Sequence, residues 1–205
     1  NQDPYIISND HCHLVIGFPT SEMCPQVTEV ECDFYSELSK HGFDLNPLSR
    51  PDSNYIVTKW DNDGTPLQYV LNLCRNVVHT KDILCPADSA SCLIRKDQES
   101  STKLKFVNLG KISDDSKPFE ITSCQENEEC ADSELKVIYK NGDKCEGSDD
   151  KRSTTILLQC DQGAIMNTPE FMSDDGCQAV FRWKTEFACP IDTTKEIKDC
   201  FAKDS

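Results

Sequence analysis

A chain of 205 residues with 37% hydrophobic side chains is long enough to bury a core as one large domain or two small ones. Its 36 acidic residues against 21 basic ones give a formal charge of −15, and no basic stretch interleaved with aromatics occurs, so nucleic acid and anionic membrane surfaces are excluded as partners. Thirteen cysteines without a single Cys-x-x-Cys pair point to disulfides rather than zinc, hence to an oxidising, lumenal or extracellular compartment. The acidity reads as a solvated surface, with a basic partner as the alternative.

Asn1 opens in polar sequence without a signal peptide, as in a mature or excised fragment. Apolar runs such as Ile83-Leu84 and Thr155–Leu158 fall far short of the ~20 residues a membrane span needs, so any attachment to a membrane is expected outside this fragment. The one glycosylation candidate is the rare cysteine variant Asn72-Leu73-Cys74, since Asn167-Thr168-Pro169 has proline where the sequon needs serine or threonine.

The first segment, Cys12-His13-Leu14-Val15-Ile16-Gly17-Phe18-Pro19-Thr20 through Cys24-Pro25, has a second copy near the other end. There Cys177-Gln178-Ala179-Val180-Phe181-Arg182-Trp183-Lys184-Thr185 runs to Cys189-Pro190, with the two cysteines again twelve positions apart. Another cysteine with a nearby phenylalanine follows each copy, at Cys32-Asp33-Phe34 and Cys200-Phe201. This pattern predicts a tandem array. Residues 1–30 are read as the end of a preceding repeat, 31–190 as a complete repeat, and 191–205 as the start of a following repeat or a linker.

Within the complete repeat a short helix is possible only over Phe34–Lys40, where apolar spacing and length are both marginal. Strands are predicted around Tyr55–Val57, Tyr69–Leu71, Leu104–Val107, Leu135–Tyr139, Thr154–Leu158 and Val180–Trp183, all β-branched, aromatic or alternating. Asn62-Asp63-Gly64 and Asn141-Gly142-Asp143 supply turns between them. Short strands with turn signals and almost no helix give an antiparallel sandwich or flattened barrel. Trp183 and Phe181 are expected in its core and Trp60 in a loop.

Chemistry-bearing residues are sparse. His11, His13, His41 and His79 stand in no metal spacing and beside no nucleophile, and read as ordinary surface histidines; the alternative is a role in acid-triggered release. Ser153 and Thr154 lie in no nucleophile elbow. The adjacent carboxylates Asp174 and Asp175 lack the further oxygen ligands of a calcium site. The chain is therefore read as a binding module, not an enzyme, with no cofactor and no metal.

Taken together, Phe43-Asp44-Leu45-Asn46-Pro47-Leu48, Tyr69-Val70-Leu71-Asn72-Leu73-Cys74, Cys85-Pro86 through Ser91-Cys92, Tyr139–Cys145, Arg152–Ile156 through Cys160, Thr168–Phe171 and Cys177–Pro190 resemble a mannose 6-phosphate receptor repeat over essentially the whole chain. The resemblance implies an all-β, disulfide-stapled flattened barrel of two crossed antiparallel sheets. It also implies pairing of Cys32 with Cys74, Cys85 with Cys92, Cys145 with Cys177 and Cys160 with Cys189. Cys124 and Cys130, outside the usual set, would clip the hairpin before Leu135. The array leaves Cys12, Cys24 and Cys200 without partners in the chain; Cys12 and Cys24 either join each other or have partners beyond it.

Sugar-binding repeats of this family hold mannose with a Gln, an Arg, a Glu and a Tyr. Counted from the cysteines, these positions fall at Leu93, Arg152, Asp174 and Ala179, so the Arg is retained, the Glu is shortened and two members are lost. Leu93 and Ala179 cannot pair sugar hydroxyls, and each unpaired group costs about 1–3 kcal/mol, so binding should weaken at least a hundredfold. Arg152 is read as a strand residue satisfied by backbone or by Asp174, with anion binding as the alternative. The family implies a repeat of a lysosomal-enzyme sorting receptor on the lumenal or extracellular face of Golgi, endosome and cell-surface membranes. Its expected partners are lysosomal hydrolases or another protein ligand, together with adjacent repeats of the same receptor. The alternatives are a growth-factor binding module and a structural spacer.

Overall fold

The computed structural model describes residues 5–10, 13–17, 29–36, 41–97, 103–112, 119–121, 135–164 and 167–191. Among them all regular structure is β apart from two single 3-10 turns, Asn46–Leu48 and Glu186–Ala188. A first sheet holds β5 (Tyr55–Trp60), β6 (Pro66–Leu71), β7 (Ser89–Lys96) and β8 (Leu104–Lys111) as an antiparallel meander in that order. A second holds β9 (Phe119–Ile121), β10 (Leu135–Tyr139), β11 (Ser153–Cys160), β12 (Glu170–Asp174) and β13 (Gln178–Thr185) in the order β12-β13-β11-β10-β9. This second sheet is antiparallel except for β11 and β13, which run parallel over eight residue pairs.

The sheets bury one core between them. Tyr69, Leu71, Leu93, Val107 and Leu109 come from the first, and Leu135, Val137, Tyr139, Ile156, Leu158, Phe181 and Trp183 from the second. Period-2 alternation accounts for this in β10 and β13, where every second residue is buried. Trp183 meets Tyr55 edge-on with ring centroids 4.5 Å apart, and its indole N–H donates to the Asn167 carbonyl. On one side the sheets are seamed by an isolated bridge, Lys111 with Lys140, giving the flattened barrel its closure.

β7 departs from alternation. Ser89 through Ile94 are all buried, because the segment carrying Val77, Ile83 and Cys85 lies over the outer face of the first sheet and forms a second apolar cluster with Val70, Cys92 and Ile94. The Cys85–Cys92 disulfide pins that segment to the strand. Three further disulfides join Cys32 to Cys74, Cys145 to Cys177 and Cys160 to Cys189, with Cα–Cα distances of 5.9, 5.0 and 4.4 Å. The first closes 42 residues and stabilises by about 4 kcal/mol if chain entropy governs. Cys12, Cys24, Cys124, Cys130 and Cys200 lie outside the described residues.

The helix allowed over Phe34–Lys40 is replaced, over its described part, by a hairpin. β3 (Asp33–Ser36) pairs antiparallel with β4 (His41–Asp44), setting Phe34 opposite Phe43. Cross-strand pairing and the burial of Phe43 outweigh a marginal helical spacing. Trp60, expected in a loop, ends strand β5 opposite Pro66.

The buried phenol of Tyr139 is a structural pin. It accepts from the Cys74 N–H and donates to the Asn72 carbonyl, both at 3.1 Å, around a Cys74 held at φ 59°. At the Asn141-Gly142 turn it is Asn141 that takes the positive φ, 62°. Gly142 serves a different need, since a Cβ there would stand 2.6 Å from the Asn108 carbonyl oxygen.

Near the N-terminus, β1 (Tyr5–Asp10) and β2 (His13–Gly17) form a separate antiparallel hairpin. Its register slips between Ile6 and Ser8, as that of β12 and β13 slips between Phe171 and Ser173.

Candidate ligand cleft at the barrel end

A cleft of about 570 Å³ opens where the β5–β6 hairpin, the end of β7, the loop after Cys145 and the β12–β13 turn meet. Lys59, Arg95, Lys96 and Arg152 line it together with Asp61, Asp63, Asp97, Glu146 and Asp174. The two signs nearly balance, so the cleft is no simple anion trap, in contrast to the acidity of the chain as a whole.

Arg152 is delivered to the cleft by backbone. Its N–H donates to the Asp143 carbonyl and its carbonyl accepts from the Gly142 N–H, while the Asp143 carboxylate accepts from the Asn108 N–H of β8. The side chain is 3% exposed as a residue, and its Nε is buried without a hydrogen-bond partner. Its guanidinium reaches Glu146 at 3.7 Å, whereas Arg95 of β7 holds the same Oε1 at 2.6 Å. Where backbone or Asp174 was expected to satisfy the Arg152 side chain, its ion-pair partner is Glu146. The hydrogen bond and charge of Arg95, aided by Arg152 and Lys105, hold the Glu146 carboxyl below its usual pKa.

Asp174 has other partners. Its Oδ2 accepts from the Tyr69 phenol at 2.9 Å and its Oδ1 from the Gly176 N–H at 2.8 Å. Burial first, then the Asp174 charge and the hydrogen bond to it, push the Tyr69 pKa well above its ordinary value. Asp175 turns to backbone instead, accepting from the N–H groups of Cys177 and Gln178, which lowers its pKa. Asp174 and Asp175 therefore cap the β12–β13 turn, and no metal-binding group of three side chains occurs among the described residues. The Cys145–Cys177 disulfide ties this turn to the loop bearing Glu146.

Of the four positions counted from the cysteines, Leu93, Arg152 and Asp174 line the cleft. Ala179 does not; 1% exposed, it lies in register between Thr154 and Asp174. Leu93 is 4% exposed and belongs to the core. Sequence reasoning missed Tyr69, Arg95 and Glu146. Strand alternation offered Arg95, two residues beyond Leu93 on the same face of β7. Nothing in sequence spacing pointed to Tyr69, whose partner is 105 residues away. Among the described residues no histidine lines the cleft; His79 is half-buried with its Nε2 unpartnered.

The family profile described as the cation-independent mannose-6-phosphate receptor repeat matches residues 1–146 and 149–205. The human cation-independent mannose-6-phosphate receptor is 27% identical over 198 residues, which is 96% of this chain but 7% of that protein. The chain thus spans a small part of the relative it matches. Among solved structures, domain 11 of the echidna mannose 6-phosphate/insulin-like growth factor II receptor superposes with a TM-score of 0.50 at 21% identity, covering 80% of this chain and 97% of that domain. At that identity the likeness concerns the fold, and it agrees with two packed β-sheets stapled by disulfides. With the profile matched along nearly its whole length, the chain belongs to the cation-independent mannose-6-phosphate receptor repeat family.

Proposed function

We propose that this chain is a ligand-binding ectodomain segment of a sorting receptor for lysosomal enzymes, lumenal or extracellular, which recognises protein surface and not mannose 6-phosphate. The observation that carries the reading is the state of the cleft. Leu93 offers no hydrogen bond, Ala179 is buried away from the opening, Asp174 is engaged by Tyr69, and Arg152 shares Glu146 with Arg95. A phosphorylated sugar would have to displace Glu146 and would leave hydroxyls unpaired beside Leu93, at about 1–3 kcal/mol each. The human relative supports receptor membership through family alone.

The decisive experiment is binding of the oxidised chain to immobilised phosphomannosyl glycans and, separately, to a lysosomal hydrolase at mildly acidic pH. Retention of the hydrolase, undiminished by free mannose 6-phosphate, is the expected result. Micromolar binding to the glycan would overturn the reading of Leu93 and Ala179.

A second reading, a module for a growth-factor-like protein, is favoured by Trp60. It is 65% exposed and lies in sequence between Lys59 and Asp61, which both line the cleft. An exposed tryptophan flanked by opposite charges has the composition of a protein-binding hot spot. Capture of a small hormone-like protein that Trp60→Ala abolishes, with hydrolase ignored, would favour this alternative. Silence towards every protein probe would favour a spacer.

A further inference from the structure

The cleft carries nearly equal numbers of cations and carboxylates, but the two kinds are not equally matched. Three of its carboxylates serve their own turns. Asp61 accepts from the Asn62 N–H, Asp63 from the Thr65 N–H, and Asp174 from the Gly176 N–H and the Tyr69 phenol. Arg152 has nothing comparable. Its side chain is 4% exposed, its Nε is without a partner, and the 3.7 Å to Glu146 exceeds hydrogen-bond length. Arg95 binds Glu146 through one amino nitrogen at 2.6 Å, and its own Nε is likewise buried without a partner. A guanidinium is a planar fork of donors matched to both oxygens of a carboxylate. Two such forks facing one carboxylate, gripped by a single short bond, leave buried donors unmet.

Glu146 is held from one side only. Its side chain is 62% exposed. Cys145 before it is anchored, by its N–H to the Asp150 carbonyl and by its disulfide to Cys177, whereas Gly147 after it has open space around it. The carboxylate is therefore free to leave by rotation about its own side-chain bonds, with β7 and Arg152 in place. An ion pair whose acidic member stands in water contributes little, so exchange for another carboxylate costs little.

We infer that Glu146 is a stand-in, and that Arg95 and Arg152 receive in its place the carboxylate of an acidic side chain presented by the protein ligand. This assignment rests on the protein-surface reading above and deepens it by naming the group recognised. A side-chain carboxylate replaces Glu146 like for like and, unlike a sugar, brings no hydroxyls to be left unpaired beside Leu93. The charges around the site also favour it over a phosphate. Asp61, Asp63 and Asp174 line the same cleft, and their repulsion of a dianion is about twice that of a monoanion.

The test is an NMR titration of the oxidised, isotope-labelled chain with N-acetylglutamate α-amide, whose only charge is a side-chain carboxylate. The Nε–H resonances of Arg95 and Arg152, shielded from solvent by burial, report occupancy directly. Both are expected to shift together, and the neutral N-acetylglutamine amide is expected to shift neither. Glu146→Gln, a change at an exposed side chain, is expected to tighten binding of the probe about fivefold, the worth of one exposed ion pair, and to raise retention of a lysosomal hydrolase by a similar factor. No shift of either resonance in Glu146→Gln would overturn the assignment, while hydrolase retained by the unaltered chain would keep the protein-surface reading standing. Equal probe affinity with and without Glu146 would also overturn it, because Glu146 would not then occupy the site. Inorganic phosphate acting at lower concentration than the probe would give the cleft to a different ligand. Shifts with the probe but no hydrolase retained would sink the protein-surface reading and leave the carboxylate site in place.

Discussion

The Tyr69 phenol donates a 2.9 Å hydrogen bond to Asp174 Oδ2, joining β6 of the first sheet to the last residue of β12 in the second across 105 residues of sequence. One side chain thereby seals an edge of the cleft and occupies a carboxylate that the resemblance would have reserved for a sugar. Tyr69→Phe keeps the ring packed against Phe171 and edge-on to Phe181 and removes only this bond. The expected cost is about 1 kcal/mol in urea denaturation, because Asp174 keeps the Gly176 N–H and access to water.

Alkaline pH should act through the same residue. The folded pKa of Tyr69 is raised above the ordinary 10.0 and that of the fully enclosed Tyr139 is raised too, both chiefly by burial. A group whose folded pKa is raised contributes stability that is intact below the unfolded value and declines as pH climbs from there towards the folded one. Stability should therefore be flat up to about pH 10 and fall steeply above it. Phenolate absorbance followed alongside circular dichroism would check this, with the last tyrosines ionising as the fold is lost.

Tyr139→Phe should be more damaging than Tyr69→Phe although the same atom is removed. It strands a buried N–H at Cys74 and a buried carbonyl at Asn72 around a left-handed residue. About 2–4 kcal/mol is expected, measured by the same denaturation. A loss as small as that of Tyr69→Phe would mean that the Cys32–Cys74 disulfide alone holds the turn.

Two glycines offer a contrast. Gly147 has φ 78° with open space around it, so alanine there meets only the backbone penalty, roughly 1 kcal/mol. Alanine at Gly142 would press on main-chain atoms of Asn108, Leu109 and Arg152, and β8 would have to move relative to the loop that positions the arginine. Gly142→Ala is expected to cost at least twice as much in thermal stability.

Removing Glu146 should change what the cleft attracts. Glu146→Gln leaves Arg95 and Arg152 without their shared carboxylate. Retention on an anionic resin at low salt should rise by about fivefold, equivalent to ~1 kcal/mol for a solvent-accessible pair, and the gain should vanish in high salt. Acid should act similarly, because the lowered pKa of Glu146 keeps it charged until pH falls below the ordinary 4.5.

Strands with strict alternation, such as Leu135–Tyr139 and Val180–Trp183, were legible in the sequence because each has one wet face. Ser89–Lys96 was not, since a disulfide-anchored flap covers its outer face and erases the period. Glu170–Asp174 escaped for the opposite reason; it is an edge strand whose residues are all at least partly exposed. The hairpin over Phe34 and Phe43 is set by a partner strand, which helical spacing cannot register. At the cleft, positions counted from cysteines led to Leu93, Arg152 and Asp174, but what those residues touch depends on Tyr69, Arg95 and Glu146, brought in by other strands and loops.

The place of β13 bears on how the chain is made. It is the last described strand of the sequence, yet it lies inside the five-stranded sheet, between β12 and β11. While the polypeptide emerges from the ribosome, β11 must wait with one edge uncovered until residues through Thr185 have followed. Cys160 waits for Cys189 over the same interval, open to wrong partners from an earlier segment. Late closure of an interior strand means that the second sheet can be completed only after the unit's own last strand has emerged, and its unpaired cysteines stay open to thiol–disulfide exchange until then.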